Sequence, residues 1–170
     1  MNYLFWIVFL IVITERLVEL VVARRNEKYV KAHGAKEYDS KGYKFIVLMH
    51  IAFFISLLLE YVLLNKGLNK FWIPLIILFI LAQILRYWAI TSLGYYWNTK
   101  ILVIPNSTRV TEGPYRYLKH PNYLAVVIEI ATIPLTFSCY FTAGIFTILN
   151  IFLVRRRIFI EEAALSSTVL

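Results

Sequence analysis

The sequence predicts an all-α, polytopic membrane bundle, and three observations lead there. Sixty per cent of its 170 residues belong to the apolar set Ala, Val, Ile, Leu, Met, Phe, Trp, Tyr and Cys, and only 16% are charged. A soluble domain carries about 45–50% apolar and about 25% charged residues, so a water-soluble globule of this size lacks the surface to hide such a composition. The apolar residues gather into five segments, each near the roughly 20 helical residues that cross a hydrocarbon core about 30 Å thick. The basic residues alternate between dense and sparse loops. Intrinsic disorder is excluded by the same composition. The length fits one integral membrane domain over residues 1–170.

The first span is residues 3–22. It lacks a basic start and a small-x-small ending, so it is expected to be a transmembrane helix rather than a cleavable signal. The second and third are residues 45–64 and 71–93. The fourth, residues 121–137, is short and contains Pro134, which predicts a tilt or kink. The fifth is residues 140–154. The single cysteine, Cys139, permits no internal disulfide.

Orientation follows from Lys and Arg. The first loop holds seven (Arg24, Arg25, Lys28, Lys31, Lys36, Lys41, Lys44), the third holds four and the C-terminal end three. The second loop holds only Lys66 and Lys70, and the fourth none. Fourteen against two puts the N-terminus outside and the C-terminus in the cytoplasm. The net charge of +8 then reflects topology and contact with anionic membrane lipids rather than nucleic acid, for which no motif is present.

Charges inside apolar runs each cost about 2.5–3.5 kcal/mol at a helix centre, so each should face protein or a watery cavity. Arg16 and Glu19 are three apart and read as a helix-end ion pair near the cytoplasmic surface; Glu15 shares a face with Glu19. Arg86 and Glu129 either pair within the bundle or line a polar cavity. Glu60, near the outer end of its helix, is expected to reach the interface, and His50 to be a satisfied bundle histidine. Three histidines and one cysteine give no metal-ligand spacing.

The loop Gly113-Pro-Tyr-Arg-Tyr-Leu-Lys-His-Pro-Asn-Tyr123 opens on a tight turn and closes on Pro121, suited to the first turn of the fourth helix. The free amides there suit an anion such as a carboxylate. Tyr115, Tyr117 and Tyr123 either stack on a ligand or belong to an aromatic belt with basic anchors. Arg157 and Glu161, four apart beyond the fifth span, point the same way if the helix continues. An ordinary i,i+4 pair explains one glutamate and leaves Glu162 of the doublet unaccounted for.

At these residues the sequence resembles the isoprenylcysteine carboxyl methyltransferase family, small multi-pass membrane enzymes that use S-adenosylmethionine (SAM). The loop looks like the family's G-x-Y-x-x-x-R-H-P-x-Y element, and Arg157-Ile-Phe-Ile-Glu161-Glu162 like its R-x-x-x-E-E element. The resemblance runs over roughly residues 93–165 and implies a cofactor site in residues 94–123 and 155–162. It implies that His120, Pro121, Asn122 and Tyr123 hold SAM, with Tyr115 also in contact. Residues 107–110 align with a cofactor-contacting stretch: Thr108 and Val110 match, and Ser107 and Arg109 are placed by the alignment. Glu161 aligns with a carboxylate that contacts SAM, and Arg157 with the arginine that orients the substrate and is the implied catalytic group. Lys119 replaces the family's Arg before His, Leu124-Ala125 stand where a Gly is often found, and Lys100 falls near the place of a glutamine. Family members usually continue in a Gly/Tyr/Arg-rich tail; here the sequence runs to Leu170, so either an uncovered site or an altered tail is expected.

The resemblance therefore implies methyl transfer to a carboxyl or hydroxyl oxygen of a lipophilic acceptor entering from the bilayer, with S-adenosylhomocysteine (SAH) as product and a site facing the cytoplasm. Two other readings compete. One is a nicotinamide-dependent membrane reductase of similar helical core. The other is a non-enzymatic lipid- or ion-binding bundle in which Arg86 and Glu129 line a conduit.

Overall fold

The computed structural model describes residues 3–167; the end of the expected domain at Leu170 lies outside them. The chain is all-α apart from one short ribbon. Five α-helices are described: α1 (Tyr3–Ala32), α2 (Ser40–Leu63), α3 (Trp72–Leu93), α4 (Pro121–Thr136) and α5 (Tyr140–Ser166). Two three-residue strands, β1 (Lys36–Tyr38) and β2 (Ile101–Val103), pair antiparallel with Glu37 opposite Leu102.

The helix ends have local causes. Gly34, at φ +84°, turns the chain out of α1, and the Ala35 amide returns to the Val30 carbonyl. Asp39 caps α2 by accepting from the Gly42 amide at 3.1 Å. Gly94, at φ +53°, closes α3. Pro121 opens α4 at the position where its missing N–H is no loss, and Pro134 falls in that helix's last turn, shortly before it ends.

The packing is inverted relative to a soluble protein. On α1, Leu10, Leu17, Val18 and Val21 face outward, while Phe5, Val12 and Glu19 are buried. Leu48, Ile51, Ile55 and Leu59 form a similar outward face on α2. Among the described residues, Ser40–Leu63 and Trp72–Tyr96 are long and apolar enough to cross a membrane. At one end α1 and α2 are locked together by the stacked rings of Phe5 and Tyr61, 3.6 Å apart, and by Phe9 edge-on to Phe54.

Three expectations require correction. α1 runs ten residues past the expected end, because Ala23, Asn26 and Val30 continue a buried stripe while Arg24, Arg25 and Lys28 stay on the wet side. Six of the seven basic residues assigned to the first loop are therefore helical, four in α1 and Lys41 and Lys44 in α2. Arg16 and Glu19 do pair, at 2.6 Å, but inside the bundle. Arg16 also grips Glu129 at 2.6 Å, and Arg86 reaches Glu19 at 3.2 Å and bonds to Glu129. This quartet joins α1, α3 and α4. Arg86 is 2% exposed, and the pairing it enters neutralises two charges of each sign. Glu15 joins the same seam through Gln83 and Tyr87. Glu60, the third correction, is buried rather than at an interface: its carboxylate accepts the amides of Phe141 and Thr142 and the Thr142 hydroxyl, capping α5 from α2.

Candidate active site

The segment between α3 and α4 is built as a wall. The inward Asn26 of α1 donates to the carbonyls of Gly94 and Trp97, at 3.1 and 2.8 Å, and Asn98 donates back to the Ala23 carbonyl at 2.9 Å. Lys100 is held by Glu27 at 2.7 Å, and β2 is zipped to β1. Next, Gly113 takes φ +59° with its α-carbon against Ser92, a position that a larger residue cannot share. The short 3-10 turn Gly113–Arg116 follows, with Pro114 buried. The α1 extension and the ribbon thus hold residues 94–103 against the helix ends.

Between this wall and the ends of α4 and α5 lies a cavity of about 160 Å³. Ser107, Thr108, Arg109 and Val110 line it from the loop, and Tyr115 from the 3-10 turn. His120, Asn122 and Tyr123 line it from the start of α4, and Arg157 and Glu161 from α5. Of the residues to which the resemblance gives a cofactor or substrate role, Pro121 does not line the cavity; it is buried in the first turn of α4. Tyr117 points away and is exposed.

Tyr123 links the two halves. Its hydroxyl donates to Glu161 and accepts from Arg157 Nε at 2.7 Å, so the Arg157–Glu161 pair expected from spacing is bridged by a phenol. Arg157 is also pinned through Nη2 to the Thr99 carbonyl at 2.7 Å, and its guanidinium carbon lies 5.5 Å from the centre of the Tyr123 ring. The His120 ring stacks on Tyr123 at 5.3 Å, and His120 Nδ1 is 4.0 Å from Glu161. The loop entering α4 and the polar face leaving α5 therefore converge on one hollow.

Glu162 has its own task. It receives Arg109 at 2.6 and 3.2 Å and His120 Nε2 at 2.8 Å, tying the 104–112 loop to α5. The Arg109 hydrogen bonds, joined by His120, pull its carboxyl down to about 2. Burial, with Glu161 nearby, raises the Tyr115 phenol and keeps it neutral. The doublet signalled an extra role for Glu162, but its partner is 53 residues away and has no local signature. Trp97, Asn98 and Lys100 also line the cavity and were not singled out as wall residues, since their placement depends on α1.

A second cavity, of about 520 Å³, meets the first at Trp97, Asn98, Asn122, Tyr123 and Arg157. Its walls are mainly apolar and come from α1, α2 and α5, among them Leu17, Val47, Ile51 and Phe54. Leu17 and Ile51 are also more than half exposed on the outer surface, so this cavity opens sideways between α1 and α2. A neighbouring groove shares Leu20, Tyr43, Val47 and Ile51 with it and carries Arg24 and Lys44.

Residues 75–167, just over half the chain and including the whole of this convergence on α4 and α5, match the isoprenylcysteine carboxyl methyltransferase (ICMT) family. The chain belongs to that family. Membership makes it a membrane methyltransferase by class, in keeping with the inverted packing and the two apolar helices. It is 46% identical over 162 residues to the uncharacterized protein YpbQ of Bacillus subtilis (strain 168), covering 95% of this chain and 96% of that one. An uncharacterized protein of Haemophilus influenzae is 26% identical over 161 residues, 94% of each chain. No solved structure matches.

Proposed function

We propose that this ICMT-family protein is a SAM-dependent O-methyltransferase acting on a lipophilic acceptor, with its site at the cytoplasmic ends of five membrane-crossing helices of one domain. One observation carries the reading: a polar hollow and an apolar, laterally open cavity meet at Tyr123 and Arg157. Such a junction suits a water-soluble donor on one side and a membrane-borne acceptor on the other.

The residues present fit the donor. Asn122 Oδ1 is buried and lacks a hydrogen-bond partner, as an acceptor awaiting a ligand N–H or O–H would. Glu161 suits the ammonium group. The first amides of α4, preceded by a cap residue that makes no side-chain bond to them, suit a carboxylate. When bound, SAM supplies a methyl group on a sulfonium. Tyr115, Trp97 and Tyr123 enclose the hollow and exclude water. Arg157, fixed by two hydrogen bonds, holds its remaining donors toward the cavity junction and orients the acceptor oxyanion there. A carboxylate or enolate oxygen is already a nucleophile, so positioning and charge placement suffice and no strong base is required. The hollow of 160 Å³ is below the roughly 300–1,000 Å³ of ordinary ligand sites, so the loop latched by Glu162 swings aside to admit the donor.

The direct test is thermal stability of the detergent-purified protein. SAH should raise the melting temperature and NADPH should not. Glu161→Ala should abolish SAH binding by calorimetry; unchanged affinity would remove Glu161 from the site.

A further inference from the structure

The apolar cavity contains polar groups that the proposed chemistry does not use. Asn150 of α5 is 1% exposed, lines the cavity, and has an amide nitrogen with no hydrogen-bond partner. An unsatisfied buried amide costs about 1–3 kcal/mol, so such groups usually have a partner that arrives from elsewhere. His50 of α2 lines the same cavity. Its Nδ1 lies 2.8 Å from the Ile46 carbonyl; donating there, a neutral ring keeps Nε2 as an acceptor. Arg16, whose Nε is also unpartnered, is a third such wall residue.

These groups share a depth. Arg157 bonds to the Thr99 carbonyl, and the Thr99 hydroxyl bonds to Tyr43 at 3.3 Å, so Arg157 and Tyr43 mark one level of the bundle. Asn150 precedes Arg157 by seven residues on α5, and His50 follows Tyr43 by seven on α2. Seven residues return to the same helix face about 10 Å along the axis. Glu129, the anchor of Arg16, lies six residues beyond Tyr123 on α4, about 9 Å by the same rise. Three helices therefore place polar groups in one belt, set back from Arg157 by an apolar stretch that includes Leu153 and Val126.

We propose that this belt is a second recognition point for the acceptor. The acceptor is a long-chain amphiphile that carries, about 10 Å from the oxygen to be methylated, a hydroxyl group that accepts from the Asn150 amide and donates to His50 Nε2. The assignment of this ligand as acceptor rests on the methyltransferase reading; the binding preference does not. The belt discriminates because an apolar chain in the cavity leaves Asn150 unsatisfied, whereas a mid-chain oxygen satisfies it.

The test compares hexadecanoic acid with a mid-chain hydroxy hexadecanoic acid as ligands of the detergent-purified protein, with and without SAH. The wild type should bind the hydroxy acid roughly tenfold more tightly, the effect of about one buried hydrogen bond. Asn150→Leu, matched in size, should erase that preference while binding SAH as the wild type does. His50→Phe should reduce it. Equal binding of the two acids by the wild type, no binding of either, or a preference retained in Asn150→Leu would each overturn the proposal; the last would show that the oxygen is recognised elsewhere in the cavity. A clear preference in a protein indifferent to SAH would keep the belt and sink the methyltransferase reading instead.

Discussion

Glu129 shows how much a single side chain organises. It is 4% exposed and meets two guanidinium groups from two other helices. Removing it strands Arg16 and Arg86 in an apolar interior, so Glu129→Ala should destabilise the protein by about 3–5 kcal/mol, read from denaturant or thermal unfolding in detergent. A loss under 1 kcal/mol would mean the arginines find other partners. The sequence marked Arg86 and Glu129 on cost alone, as a pair or as the lining of a polar cavity, because two opposite charges in apolar runs demand an explanation, and the structure shows the pair. It could not show that Arg16 and Glu19 belong with them, since a charge pair at i,i+3 satisfies itself on paper. Glu60 was misjudged for the same reason: a carboxylate near a helix end looks like an interface residue until the neighbouring helix presents its free amides.

The five helices were legible because apolar run length is a strong signal, and the start of α4 because Pro121 marks it. The α1 extension and the β1–β2 ribbon were not, since a three-residue strand carries no period and a charged helical stretch reads as a loop. Both matter for the site, as they hold the loop whose latch is Glu162. That latch has a pH signature. The Glu162 carboxyl titrates near 2 in the folded protein against an ordinary value of 4.5. A depressed carboxyl contributes its full share above the ordinary value and loses it as pH falls through the folded one. Protection factors for the amides of residues 104–112, which correct for the intrinsic pH dependence of exchange, should therefore be high at neutral pH and fall between pH 4.5 and 2. Glu162→Gln should show low protection factors already at neutral pH and little change across that window. Protection in the variant equal to the wild type would discard the latch.

Over the whole molecule, the charge bias of alternate loops leads to an expected orientation that labelling can test. With Cys139 replaced, Lys66→Cys should react with an impermeant maleimide on intact cells, and Arg155→Cys only after permeabilisation. The reverse pattern would invert the site relative to the cytoplasm. Convergence of the two motifs was readable as an expectation from their chemistry, but the junction between two cavities was not, because it depends on how residues of α1, α2 and α5 come together around Tyr123 and Arg157. The buried charge quartet also bears on how the chain is made. The first helix to emerge brings Glu15, Arg16 and Glu19, each costing about 2.5–3.5 kcal/mol in hydrocarbon, while their counterparts reside at positions 83, 86, 87 and 129. Synthesis order and settling order therefore differ: α1 leaves the ribosome before α3 and α4, yet its charges meet their final partners only once Glu129 has followed.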